Sequence, residues 1–546
     1  MVMRDQVNRC CGVIPDCIPF SCIPHTTKLF SDFLSYTPDI RGFFPNQPHA
    51  TQVALQAASV PQGGPIHAAV AHVLEKQNRR WGASHQTLNN IRRLKEGAFA
   101  VVSGQQVGLF GGPVMSWFKV ASVLALVKQF EQAAIDCVPV FWMASEDHDL
   151  AEINQALLLT PDFQLAQFAA AADGMPDSPV ARVRFASGTG ELAGRAAALL
   201  GESAAADYLR ESYRDGETFS EAYARLYARL FAEHGLVLLD PADSELHRIA
   251  TPLLVAAMER AGELDEALLA RNREISKAGY HEQVKVTGQS TPLFALVGGA
   301  RIPIHRSNGG FSIGREQIAL ADLQQRITDA PENFSANVLL RPVLQDYWLP
   351  TLAYVGGPAE IAYFAQVGVV YEKLLRRVTP IWPRMSATLL EARIAKLLGK
   401  YNLGLTDVFH GETQLREQLA AKSLPSELKL DFERARLGID GAIERISQSL
   451  HKLDPTLEEA ARHAANKMRY QLDHLEKRAA QAELRRQEVL QRHAAQIENS
   501  LYPHRTLQER EIAGLYFHAK YGSGLIDQLI EAAQAQCPEH KIVRLG

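Results

Sequence analysis

The stretch that decides the fold runs Phe99-Ala-Val-Val-Ser-Gly104-Gln105-Gln106-Val-Gly108-Leu-Phe-Gly111-Gly112-Pro113. It continues as a helix-like run through Lys119 and Lys128. It ends in Val138-Pro-Val-Phe-Trp142-Met-Ala-Ser-Glu146-Asp147-His148-Asp149. The pattern reads as strand, glycine loop, helix, strand, then an acid and histidine cluster at the second strand's carboxyl end. In an open α/β sheet, ligands bind outside the carboxyl ends of the strands. Both polar clusters sit at such ends, so the spacing predicts that they face one pocket.

The same style recurs along the chain. Gly235-Leu-Val-Leu-Leu-Asp240-Pro241 reads as a buried strand ending at an acid, with Asp243 as a helix cap. Ala353-Tyr-Val-Gly356-Gly357-Pro358-Ala-Glu360 is a second strand–glycine–helix junction. Val378-Thr-Pro-Ile-Trp382-Pro383-Arg384-Met385-Ser386-Ala387-Thr388 is a third strand end, expected to lead into a helix. Residues 66–96 read as helix, Leu157–Leu159 as a short strand, and 219–234 as an amphipathic helix. Residues 280–314 carry β-like runs around Gly298-Gly299 and Asn308-Gly309-Gly310, which suggests hairpins with their own small sheet. Residues 1–50, rich in proline and aromatics, suggest an extended arm with a short helix near Thr27–Leu34.

From about 428 to 500 the chain is charged, helical and poor in glycine. Ala461, Met468, Leu475, Ala482 and Val489 recur every seven residues, and Ala465, Leu472 and Ala479 form an adjoining row. A seven-residue apolar repeat favours a coiled-coil seam. Pro503 ends the helix, and a small helical tail is expected to close the chain. These shifts divide the sequence into 1–65, an N-terminal arm; 66–165, the first part of the α/β core; 166–325, connecting and insertion segments with a small β region; 326–395, the second part of the core; and 396–546, a helical coiled-coil domain.

The 546 residues exceed one ordinary domain. A net charge of −4 gives no support for wholesale nucleic-acid binding. No apolar run approaches the roughly 20 residues of a membrane span. Polar residues and prolines interrupt residues 1–28, so no signal-peptide core is expected, and a cytoplasmic location is. Of six cysteines, Cys10, Cys11, Cys17 and Cys22 crowd the N-terminus without a paired zinc spacing and suggest a loose, reduced arm. Cys137 reads as core, and Cys537 carries no signal.

The clusters bear chemistry. The loop Gly104, Gln105, Gln106, Gly108, Gly111, Gly112 is neither a P-loop nor G-x-G-x-x-G. It shares their physics: glycines admit a ligand to the backbone, and a helix N-terminus favours an anion. Lys119 lies within about two turns of the helix start and could reach a phosphate or carboxylate. The alternative is a tight turn without a ligand. Glu146, Asp147, His148 and Asp149, which Glu152 could join, call for something cationic: a metal, a substrate amine or an arginine. Asn337, Arg341, Gln345 and Asp346 are polar groups in apolar surroundings, and Arg341 could clamp a carboxylate or pair with a protein acid. Gly356, Gly357, Glu360 and Tyr363 open another helix toward the pocket. Arg384 and Ser386 sit in a segment that resembles the lysine–methionine–serine loop of class I aminoacyl-tRNA synthetases, where a cation stabilises transferring phosphates.

Together these segments resemble one family, the BshC cysteine ligases of bacillithiol biosynthesis. The matching pieces are Ile23-Pro24 with Thr27-Lys28-Leu29, Ser103 to Pro113, Pro139 to Asp149, Gly279-Tyr280 with Gln283-Val284, and Asn337 to Asp346. Leu349-Pro350-Thr351, Gly356 to Tyr363, Pro383-Arg384, Leu501-Tyr502-Pro503 and Leu507-Gln508-Glu509-Arg510 complete them. The resemblance runs in order from about Ile18 to the C-terminus; the first 16 residues lie outside it. It implies an α/β fold with a Rossmann-like core like that of class I aminoacyl-tRNA synthetases, connecting insertions, and a C-terminal α-helical coiled-coil domain that helps form a homodimer. It implies the last step of bacillithiol synthesis, joining L-cysteine to the amino group of glucosaminyl-malate.

Such an amide needs an activated carboxylate, and ATP with Mg2+ is the expected activator. In this expectation Glu146, Asp147, His148, Asp149 and Arg384 carry the chemistry. The glycine loop, Lys119, Trp142, Asn337, Arg341, Gln345, Asp346, Gly356, Gly357, Glu360, Tyr363 and Ser386 bind substrate or nucleotide. Two other classes stay open: a metal-dependent hydrolase or transferase using Glu146–Asp149, and a non-catalytic scaffold whose coiled coil is the working part.

Overall fold

A computed structural model describes residues 16–46, 57–307, 309–423, 425–486, 488–534 and 537–546. Its centre is a five-stranded parallel sheet made of β1 (Phe99–Gln105), β2 (Cys137–Met143), β3 (Val237–Leu239), β4 (Thr351–Gly356) and β5 (Ile381–Pro383). The spatial order is β5-β4-β1-β2-β3. The chain therefore starts in the middle, winds outward to β3, then returns to the other side of β1. The crevice where this order reverses, between β1 and β4, is where a doubly wound sheet binds ligands. β1, β2 and β4 are apolar runs buried along almost their whole length, as strands covered on both faces must be.

Four helices position the site. α1 (Met115–Gln132) links β1 to β2; α2 (Ser244–Glu259) follows β3; α3 (Arg341–Trp348) precedes β4; α4 (Pro358–Leu374) follows it. Asp243 caps α2 as expected, accepting the Glu245 N–H at 2.8 Å. The strand–glycine–helix reading of Ala353–Glu360 matches the β4–α4 junction. Leu157–Leu159 lies in a strand (Gln155–Leu159), paired with Leu165–Ala169 outside the central sheet. Between α2 and α3 a second, antiparallel sheet includes the hairpin of Ser290–Val297 and Ala300–Ser307, turning at Gly298-Gly299.

Several sequence expectations are corrected. Residues 66–96 form two helices, Gly64–Arg80 and His85–Glu96, because Gly82 takes a left-handed φ of 80° between them. The 219–234 helix ends at Leu230, followed by a short 3-10 turn. The Pro383–Thr388 segment leads into a strand, Ala387–Glu391, rather than a helix. The chain closes with a strand too: His540–Leu545 lies parallel to Ala387–Glu391 and antiparallel to Cys17–Ile18. The N-terminal segment is not loose. It carries the expected helix (Lys28–Ser35), and Ile18, Phe20, Ile23, Leu29, Phe30 and Phe33 are buried in the core. Cys17 is joined to Cys537 by a disulfide. Cys137 is buried as expected; Cys10 and Cys11 lie outside the described residues.

The C-terminal part is a helical hairpin, α5 (Ser426–Leu453) and α6 (Leu457–Arg486). Its antiparallel register shows in Arg436 with Asp473 at 2.9 Å and Arg469 with Asp440 at 2.8 Å. In the hairpin Ala461 and Ala465 are buried, with Leu472 and Ala479 half-buried, and Ala480 packs with Ala420 of the helix Glu412–Ser423. Met468, Leu475 and Val489, assigned from sequence to the same seam as Ala461, are exposed. A helix with two apolar rows covers only one of them with one partner.

Candidate active site

The carboxyl ends of all five strands open on one cavity of about 440 Å³. Across the sheet it is lined by Arg384 beyond β5, Gly357, Pro358 and Glu360 beyond β4, Gly104, Gln105 and Gln106 at β1, Glu146 and Asp147 beyond β2, and Pro241 beyond β3. Of the two polar clusters, Gly104, Gln105 and Gln106 of the first and Glu146 and Asp147 of the second face one pocket. Gly104 is required where it stands, since a Cβ there would lie 2.8 Å from the Trp142 carbonyl oxygen. Trp142 forms part of the wall and stacks on Trp348, ring centroids 5.5 Å apart.

The second half of the glycine loop does other work. Gly108, Gly111 and Gly112 do not line the cavity. Gly111, at φ 84°, donates its N–H to the Tyr213 hydroxyl and accepts the Tyr227 hydroxyl, each at 3.0 Å. These glycines make a tight packing turn rather than a cradle. Around the start of α1 the N–H groups of Val114, Ser116 and Trp117 are taken by the carbonyls of Ile512, Pro113 and Val114. Lys119 lines the cavity but is committed. Its ammonium donates to the Gly104 carbonyl (2.7 Å) and Gln105 Oε1 (2.8 Å), and pairs with Glu360 Oε2 at 2.6 Å. Burial would raise the Glu360 pKa, but Lys119 and the Gly357 N–H outweigh it and hold it below the usual carboxylate range.

Arg341 is held by hydroxyls, not by a carboxylate. It donates to Tyr363 (2.9 Å) and Tyr354 (3.2 Å) and lies over the Trp142 ring. Asn337 lines the cavity while its Oδ1 accepts the N–H groups of Leu339 and Leu340, starting α3. Gln345 and Asp346 are buried away from it. Asp346 accepts from Gln345 (3.0 Å), the Tyr371 hydroxyl (2.6 Å) and the Thr379 hydroxyl, and Gln345 Oε1 accepts from Arg341 at 3.4 Å. Gly356 is packed under Ile381 and Glu360 and does not face the cavity.

Within the acid cluster the structure separates neighbours. Glu146 and Asp147 line the cavity; His148 and Asp149 do not. Asp149 caps a short helix by accepting the Glu152 N–H, and Glu152 accepts from Gln106. Among the described residues no three His, Cys, Asp or Glu side chains converge as a metal-ligand set. Arg384 is buried against Glu509 at 2.6 Å. Glu509 also accepts from Ser386 and the Ala387 N–H, and Ser386 contacts His540, which takes Ser386 away from this cavity.

The architecture and the site direct attention to relatives with the same order of parts. Residues 16–385 match the family described as bacillithiol biosynthesis BshC, N-terminal Rossmann-like domain, and residues 387–545 match its C-terminal coiled-coil domain. The chain belongs to the BshC family. Proteins named "Putative cysteine ligase BshC" include one from Koribacter versatilis, 50% identical over 533 residues (98% of this chain, 100% of the relative). Another, from Solibacter usitatus, is 36% identical over 96% of this chain and 99% of its own length. A third, from Salinibacter ruber, is 31% identical over 94% and 96%.

Four residues of this BshC family site carried no functional assignment in the sequence. Arg301, from the hairpin of the second sheet, lines the cavity; burial presses its pKa down while Glu146 and Asp147 support its charge. Arg510 lines it from the C-terminal part, and its guanidinium makes no hydrogen bond among the described residues. His247, one turn into α2, lies 3.0 Å from Glu146 Oε1. Tyr354, from β4, bonds Glu360 at 2.6 Å. His247 follows a strand ending at an acid, so the strand-end rule could have found it. Arg301 and Arg510 come from outside the parallel sheet; Arg510 lies in the matched segment Leu507–Arg510, but no local pattern gives either of them a role.

Proposed function

We propose that this protein joins the carboxylate of L-cysteine to the amino group of glucosaminyl-malate, the amide-forming last step of bacillithiol synthesis, with ATP activating the carboxylate. The observation that carries this reading is the polarity of the cavity along the sheet. Arg384 and Arg510 lie at the β5 and β4 end; Glu146 and Asp147 lie at the β2 and β3 end. Five cations (Lys119, Arg301, Arg341, Arg384 and Arg510) line it against three acids (Glu146, Asp147 and Glu360). An anionic ligand at one end and an ammonium at the other would complete that charge pattern.

In this reading Arg384 and Arg510 hold the phosphates of ATP, with Mg2+ as their counter-ion, and stabilise charge on the leaving group. Cysteine, activated as an acyl adenylate or acyl phosphate, lies over Gly104 and Trp142. Glu146 and Asp147 attract the sugar ammonium, and Arg301 or Arg341 receives the malate carboxylates. The names of the relatives support a ligase acting on cysteine. The exposed apolar residues of the helical hairpin, Met468 and Leu475 with Leu430, Leu437, Ile446 and Leu453, support a homodimer through that domain.

The test is a mass-spectrometric assay with pure protein, glucosaminyl-malate, cysteine, ATP and magnesium. Conjugate with AMP supports the adenylate route, and conjugate with ADP the acyl-phosphate route. No conjugate, even when cell extract replaces ATP, rejects the ligase reading. Asp147→Asn is expected to abolish the conjugate while leaving the melting temperature within about 2 °C; unchanged turnover rejects the role of Asp147.

A further inference from the structure

We propose that His247 is a positioning residue that shares a proton with Glu146, making the pair the base that deprotonates the substrate amine. The inference rests on the amide-forming reading and names the base within it. His247 Nδ1 lies 3.1 Å from the Pro331 carbonyl, an acceptor only, so Nδ1 carries a hydrogen. The other nitrogen, Nε2, faces Glu146 Oε1 at 3.0 Å. Their side chains are 6% and 13% exposed, so little water screens them. With Nε2 bare, a lone pair confronts a carboxylate, and the pair binds one proton strongly. Burial opposes the imidazolium, but Glu146 outweighs it and raises the His247 pKa.

The remaining acids are occupied differently. Glu146 Oε2 takes no hydrogen bond from any described residue, and Glu146 lines the cavity. Asp147 is engaged at both oxygens, by the His148 N–H (2.8 Å) and Gln106 (3.1 Å). His148 does not reach the cavity. Three further charged groups bear on the pair, Asp240 at the end of β3, Arg301 on the hairpin and Glu332 in the turn after Pro331, and Asp147 in the same loop bears on Arg301. In the step, R–NH3+ gives one proton to the Glu146–His247 pair. The free amine attacks the acyl carbon, the C–N bond forms, and the C–O bond to the phosphate breaks. The second N–H proton leaves with the departing phosphate.

Two measurements test this. The first is an NMR pH titration of the imidazole resonance that is absent from His247→Gln. In the wild type it titrates above the ordinary histidine range, and in Glu146→Gln it moves to lower pH. Equal values in both proteins overturn the pair whether or not conjugate is made. The second is the pH profile of kcat/KM for amide formation. His247→Gln keeps an amide donor for Glu146 at the Nε2 position. Its acidic limb is expected at lower pH than in the wild type, with a reduced plateau. A limb at the same pH makes His247 merely structural and overturns the proposal. A wild-type protein that makes no conjugate overturns the ligase reading and the role of the pair in it, while the titration still decides the pair itself.

Discussion

Arg510 decides the anion site, because its guanidinium faces the cavity with no hydrogen-bond acceptor among the described residues. A charge-assisted hydrogen bond to phosphate is worth about 1.5–3 kcal/mol. Arg510→Ala is therefore expected to lower kcat/KM for ATP about 10- to 100-fold, with little change in thermal stability, since no hydrogen bond among the described residues is lost; equal kinetics would remove Arg510 from the site. Asp240 makes a different prediction. Burial pushes its carboxyl up to about 6, against the Ser145 hydroxyl and the Ala242 N–H that favour the charged form. A raised carboxyl pKa means that folding favours the protonated acid. Its stabilising contribution is present below the unfolded value of 3.8 and is lost as pH rises through about 6. Relative to Asp240→Asn, the wild type should lose about 3 kcal/mol between pH 3.5 and pH 7. Urea titrations at both pH values check this, and a pH-independent difference would contradict it.

At the scale of elements, the site depends on a joint between β5 and the C-terminal segment. Arg384 and Glu509 are each almost wholly buried, and Glu509 also ties Ser386 and the Ala387 N–H. Removing one partner of such a pair leaves a buried charge and costs about 3–5 kcal/mol. Glu509→Ala should lose that much stability, whereas the double change Arg384→Met with Glu509→Leu should recover most of it and remain inactive. Denaturant unfolding of the three proteins separates these outcomes. The joint was poorly legible in sequence. Pro383–Thr388 looks like a strand end entering a helix, yet the following strand belongs to a sheet completed by Cys17–Ile18 and His540–Leu545. No local pattern links residues more than 500 positions apart. The β1–β2 and β4–α4 junctions were legible because their signals, buried runs followed by glycine and polar residues, are local.

For the whole molecule, the helical hairpin leaves apolar side chains on both of its helices uncovered. Leu437 is 73% exposed and Leu475 57%. A patch of this kind on a charged hairpin predicts self-association. Light scattering coupled to size exclusion should report twice the chain mass of 60.3 kDa. Leu437→Glu with Leu475→Glu should halve it without lowering thermal stability of the α/β part, because both side chains already face solvent. A wild-type monomer would reject the dimer.

The sequence by itself determined the parallel strands, the glycine junctions, the helical C-terminal region and the two polar clusters at strand ends. Each follows from periodicity or backbone freedom within a few residues. The tertiary structure alone decided which polar groups are available. Lys119, Asp346 and Ser386 are consumed by buried partners, while Arg301, His247 and Arg510 are brought in from distant segments. The physical reason is that a buried charge must be paired, and its partner is chosen by proximity in space, which local sequence does not encode.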